Sequence, residues 1–243
     1  LSRSLPELDK ENRIAVIPIK GMIVSGNGGG FFAQEGVNSA DVDSFIEAAN
    51  KDENIKGIIL NINSGGGAVV PSKEIVDVVK KVDKPVVALI RDVGASGAYW
   101  VASASDYIIA DPLSITGSVG VAAGYLEFSD LLDQYGVKYQ RLKGGMYKDV
   151  GTPYANLTDV ERDLLQSKIS KIHQYFLEDV SKNRGKDLSK YATGLFYLGT
   201  EAIEIGMIDG LGGKEEAINK TIELANITEY ELVFYKREVS FFD

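Results

Sequence analysis

A chain of 243 residues with 44 % hydrophobic and 25 % charged residues has the composition of an ordinary globular protein able to bury a large core. Twenty-six basic against 35 acidic residues give a formal charge of −9, and no Lys/Arg run is long enough to follow a phosphate backbone, so nucleic acid is not expected as a partner. Cysteine is absent and His173 is the only histidine, which excludes thiolate catalysis, disulfides, zinc–thiolate centres and multi-histidine metal sites.

In chain order, Ile14 to Ile19 reads as a strand and the glycine-rich stretch from Gly21 to Gly36 as a mobile loop. Asn38-Ser39 caps an amphipathic helix to about Asn50. Lys56 to Asn63 is an apolar, β-branched run of the kind found in buried parallel strands, and it ends in Ser64-Gly65-Gly66-Gly67. A helix over Pro71 to Val82 leads to a second buried strand at Pro85 to Ile90, completing a βαβ unit. GASGAYW (residues 94–100), a strand at Asp106 to Ala110 and ITGSVG (residues 115–120) follow. This alternation predicts an α/β fold with an open, mainly parallel sheet flanked by helices, whose ligands bind beyond the carboxyl ends of the strands.

A helix near Ser129 to Tyr135 and a strand at Lys138 to Leu142 precede a polar loop over Lys143 to Pro153. Leu157-Thr158-Asp159 opens a long amphipathic helix to about Asn183, whose apolar face needs a partner. Helices near Thr200 to Ile205 and Glu215 to Ala225 and a strand at Leu232 to Tyr235 close the chain. No internal repeat or linker divides it, so a single domain over residues 1–243 is expected. No stretch approaches the roughly 20 apolar residues of a membrane span, and no signal peptide is visible, although a chain starting at Leu1 leaves room for a preceding segment.

Both glycine clusters follow buried strands and belong at one edge of the sheet. Ser96 stands at a predicted helix start, where it serves either as a plain N-cap or as a nucleophile facing free N–H groups. Ser64 to Gly67 is either a tight turn or a backbone surface aimed at a developing oxyanion. No Gly-Lys-Ser/Thr follows, which disfavours a phosphate loop. A serine nucleophile needs a base. His173 falls inside the long helix as an ordinary helix residue, and Lys148 sits in GGMYKDVG (residues 144–151), either as a solvated loop lysine or as that base.

NINSGGG, GASGAYW, ITGSVGV, GGMYKDVG and LGTEAIEIGMIDGLGGKEEAI, in this order, resemble the motifs of the signal peptide peptidase A (protease IV) family, within the Clp protease and crotonase superfamily. The resemblance covers nearly the whole chain and implies a serine protease with a Ser/Lys dyad: Ser96 as nucleophile, Lys148 as general base, Ser118 orienting the lysine amine, and Gly97 and Gly67 as oxyanion donors with Gly66 as the alternative. Gly65 replaces the family's usual proline. No metal or organic cofactor is implied. The expected substrates are cleaved signal peptides or similar extended apolar segments. The resemblance further implies a homo-oligomeric ring or dome and an N-terminal membrane anchor holding the catalytic part outside the cytoplasm.

A lysine of ordinary pKa, about 10.4, acts as base near neutrality only if it is desolvated. Lys148 is therefore expected to be buried and Asp149 to point away from it. Rival readings are an endopeptidase cutting the hydrophobic tails of membrane proteins, an acyl-CoA enzyme of the crotonase class, and a non-catalytic membrane-associated scaffold.

Overall fold

The computed structural model describes residues 12–26 and 36–236. In chain order the elements are β1 (Arg13–Lys20), β2 (Met22–Val24), β3 (Gly36–Asn38), α1 (Ser39–Lys51), β4 (Ile55–Ser64), α2 (Val69–Val79), β5 (Val86–Ala95) and α3 (Gly97–Ser103). There follow β6 (Tyr107–Ala110), β7 (Ile115–Gly117), α4 (Ser129–Gln134), α5 (Asp159–Asn183), β8 (Phe196–Leu198), α6 (Gly199–Glu204), β9 (Gly210–Leu211), α7 (Lys214–Ala225) and β10 (Glu231–Phe234).

The main sheet runs β10-β1-β4-β5-β6-β9, with every neighbouring pair parallel. The expected mainly parallel α/β architecture is therefore present. β5 changes partners along its length, Val87 to Ile90 pairing with β6 and Val93 to Ala95 with β7. β8 joins β7 antiparallel.

The central strands are apolar on both faces because both faces are covered. Ile14, Val16, Ile59, Val87 and Leu89 pack beneath Ala217 and Ile218 of α7. The alternate residues Ile17, Ile58, Leu60, Ala88 and Ile90 are equally buried, and α1 and α3, which pack on β1, β4 and β5, supply their cover. Gly57 lies under α7, where a Cβ would collide with Thr221.

The chain divides into two compact units, residues 1–120 with 177–243, and residues 121–176. The sheet belongs to the first. The second holds α4 and the amino-terminal part of α5, whose start carries a capping box: Thr158 Oγ1 accepts from Glu161 N at 3.3 Å and Glu161 accepts from Thr158 N at 3.0 Å.

Most expected elements are present with shifted ends. α2 stops at Val79, three residues early, and β5 continues five residues past Ile90 to Ala95. The expected strand at Lys138 to Leu142 does not form: the segment is exposed, has no regular secondary structure and has no ladder partner among the described residues. Of the expected Gly21 to Gly36 loop, residues 27–35 lie outside the described residues, and its ends form the parallel pair of β2 with β3.

Candidate active site

Ser96 is the hinge between β5 and α3. Its φ of 52° and ψ of −125° lie in a region that L residues rarely enter, and its side chain makes no capping hydrogen bond. A plain N-cap would spend its hydroxyl on an amide of the first turn, so the geometry goes against that reading. Backbone bonds hold the turn on both sides: Ser96 N donates to Gly117 O at 2.8 Å and Trp100 N donates to Ser96 O at 2.9 Å.

The glycine turn after β4 lies against this hinge. Gly66 has φ +95°, and a Cβ there would come within 2.6 Å of Gly97 N. Gly66 N donates to Ser64 Oγ at 3.0 Å, and the buried Ser64 hydroxyl in turn donates to Gly21 O at 2.6 Å. Ile23 N donates to Gly66 O and Ala68 N to Ile23 O, both at 2.9 Å, and neither bond uses the N–H of Gly67. As the first residue of α3, Gly97 likewise has an N–H with no intrahelical acceptor. A Cβ on Gly97 would lie 3.4 Å from Gly67 N and collide with Ser72 Oγ, so α2 packs this closely on the start of α3 only with glycine there. Gly65 has open space around it, and losing the proline usual there leaves nothing unsupported.

Ser118 also has a positive φ, 51°. Its N–H donates to Leu195 O at 2.8 Å and its Oγ to Gly194 O at 3.2 Å. The hydroxyl proton is thereby committed while its lone pairs can still accept.

Lys148 belongs to the other unit, in the turn-rich loop after Gly144, and its side chain is exposed rather than buried. Its neighbour Asp149 points elsewhere, as expected. The Asp149 carboxylate is bound by Arg141 Nε and by Lys143 Nζ at 2.9 Å. These two cations, Arg141 first, hold it well below the usual carboxylate range. Arg141 reaches Glu161 at 3.7 Å, and Lys143 donates to Met146 O at 2.7 Å, so the lysine loop is pinned at both ends. His173 lies mid-helix in α5, half-buried.

Sequence reasoning passed over two supporting residues. Ser64 orders the glycine turn, and its signal was a small hydroxyl ending an apolar strand. Asp179 accepts from Trp100 Nε1 at 2.7 Å and pairs with Lys80 at 2.6 Å, anchoring α3 behind Ser96.

A serine on a strained strand-to-helix turn, with no capping hydrogen bond and a glycine turn packed against it, is an arrangement suited to a serine hydrolase. Comparison with known proteins narrows it to a serine protease: the model of Peptidase family S49 matches residues 79–228, and the chain belongs to that family. The Clp protease model matches residues 32–110. The provisionally named protease MJ0651 of Methanocaldococcus jannaschii is 33 % identical over 87 % of this chain and 70 % of its own length. The provisionally named signal peptide peptidase SppA of Enterococcus faecium is 28 % identical over 98 % of this chain and 71 % of its own. Protease 4 of Haemophilus influenzae is 31 % identical over 88 % of this chain, which spans 35 % of that protein.

Among solved structures, a serine-to-alanine variant of the 1510-N membrane-bound stomatin-specific protease has a TM-score of 0.62 at 16 % identity, covering 93 % of this chain and 99 % of that one. Its lysine-to-alanine variant with a substrate peptide scores 0.61, also at 16 % identity, covering 96 % and 94 %. Both have the Clp protease-like fold. Among the described residues no helix is long and apolar enough to cross a membrane.

Proposed function

We propose that the chain is an endopeptidase with a Ser/Lys dyad that degrades cleaved signal peptides and similar extended apolar peptides. The observation that carries this reading is the backbone of Ser96, held in a costly conformation with its hydroxyl unspent where the glycine turn after β4 packs against it. Ser96 Oγ attacks the peptide carbonyl carbon while Lys148 Nζ takes its proton. The C–N bond breaks, the amine leaves with that proton, and the acyl group stays on Ser96 as an ester. Water then attacks the ester with Lys148 again as base, releasing a carboxylate and restoring the hydroxyl.

The oxyanion is stabilised by Gly67 and Gly97, since Gly66 N is already committed to Ser64. Loss of one such donor raises the barrier by about 2.7–4 kcal/mol. Ser118, its proton given to Gly194 O, accepts from the lysine amine and orients it.

Lys148 is exposed in the single chain, so the mechanism needs a covering surface to strip its water. Bound peptide and a neighbouring copy in a homo-oligomer supply that cover. The apolar side chains of residues 121–160 fit such an assembly, with Leu126 74 % and Leu142 97 % exposed. Support for a lysine base comes from the fold neighbour whose complex with a substrate peptide is of a lysine-to-alanine variant. The signal-peptide substrate rests on likeness to the SppA of Enterococcus faecium. Membrane attachment with the catalytic part outside the cytoplasm is part of the same proposal and rests on the motif resemblance in the sequence.

The test compares the parent with Ser96→Ala and Lys148→Ala on a panel of signal-peptide and membrane-tail peptides, following turnover across pH and acylation by mass. Both variants should lose turnover by a factor of about 10³ or more, and only the parent should gain an acyl mass on Ser96. Full activity in Lys148→Ala would remove the lysine from the mechanism. Preference for membrane-tail peptides would replace the substrate class.

A further inference from the structure

The sheet face beneath α7 loses its apolar lining toward the carboxyl ends of the strands. Val16 pairs with Ile59, and Leu89 lies in the next strand opposite Asn61. Two residues beyond Ile59 and Leu89 on the same face come Asn61 and Arg91. At this transition lies a partly open cavity of about 120 Å³, the volume of about four liquid waters. Val16, Ile59, Leu89 and Ile218 form its floor.

The rim has three polar groups that the fold leaves unspent. Among the described residues neither Arg91 nor Lys214 has a carboxylate partner. The Lys214 ammonium instead stands 5.2 Å from the ring centroid of Phe234, which also lines the cavity. Asn61 Oδ1 is buried with no hydrogen-bond partner.

Two cations call for an anion, a buried amide oxygen for a donor, and the floor for a small hydrocarbon group. The last residue of a peptide carries all three, in its carboxylate, its N–H and its side chain. We propose that this cavity binds the free C-terminus of a peptide ending in a small apolar residue. A free amino acid would bring its ammonium toward Arg91 and Lys214, and a fatty acid has no donor for Asn61. Hydrolysis of a peptide bond after an apolar residue generates this ligand, because the oxygen of water becomes part of the new carboxylate. The site is built from β1, β4, β5, α7 and β10 and does not include Ser96, so it is a second place on the molecule where a cleaved peptide is held.

The test is calorimetric titration of Ser96→Ala protein with N-acetyl-Ala-Ala-Val, its C-terminal amide, and isovalerate. The acid should bind at one saturable site, and the amide should bind about tenfold or more weakly. The same loss is expected for the acid on adding Arg91→Gln and Lys214→Gln, surface changes that should leave the melting temperature in place. Equal affinity for acid and amide, full affinity in the Arg91/Lys214 variant, or no binding would overturn the proposal. Isovalerate binding as tightly as the peptide would also overturn it, by making the ligand a simple acid. Binding is read without turnover, so the result stands or falls separately from the dyad.

Discussion

Ser96 holds its φ of 52° against the steric preference of an L residue, and the cost, of order 1–3 kcal/mol, is borne by the hydrogen bonds on either side of the turn. Glycine has no such preference. Ser96→Gly should therefore raise stability by about 1 kcal/mol, after allowing for glycine's greater freedom in the unfolded chain, while abolishing activity. Urea unfolding of the two proteins checks this, and a less stable glycine variant would mean that the conformation is not strained. The turn at Ser96 and the glycine turn after β4 were legible because such local motifs need particular small residues. The role of Ser64 was not, because its partners, Gly21 and Gly66, meet only when β1 and β4 lie side by side. Nor did Asn61 stand out within an apolar run, although a polar residue facing inward from a central strand is a signal in itself.

Among the elements, the helices were read most accurately, since caps and spacing are written locally: Asn38 accepts from Ala40 N at 3.1 Å at the start of α1, and Thr158 and Glu161 cap α5. The false strand at Lys138 to Leu142 shows the converse, because a β-like string forms no strand without a neighbour to pair with. Between α1 and α2 lies a stability effect that sequence hides. Asp43 is half-buried with one oxygen unpartnered, and burial first, then the charges of Glu74 and Glu47, push its carboxyl up to about 6. A raised acid favours the folded state in its protonated form, so this contribution is full below the ordinary value of 3.8 and is lost as pH rises through about 6. Asp43→Asn should then stabilise the protein by about 1 kcal/mol at pH 8, the shift being discounted for partial exposure, and much less at pH 4.5. Denaturation midpoints at the two pH values decide it, and an equal gain at both would exclude titration as the cause.

For the whole molecule, composition and strand–helix alternation were enough to specify a parallel α/β sheet, because strands covered on both faces must be apolar throughout. The division into two units was not legible: residues 121–176 contain no linker-like composition, and their exposed apolar side chains look like core in a sequence. The burial expected of Lys148 failed in the single chain for the same reason, since burial depends on what covers a loop and not on the loop's own residues.

The exchange of partners along β5 separates local breathing from catalysis. The outer edge, β6 with β9, grips only the first half of β5, while the half leading to Ser96 is clamped by β7. Ile109→Ala, emptying a buried site on β6, should speed amide exchange in β6 and β9 while the Ser96 amide, bonded to Gly117 O, keeps its rate in local openings. Mass-resolved exchange on the variant tests this, and equal acceleration at Ser96 would show one cooperative edge. On that outcome the rim of the sheet opens on its own, and thermal fraying there stops short of the turn at Ser96.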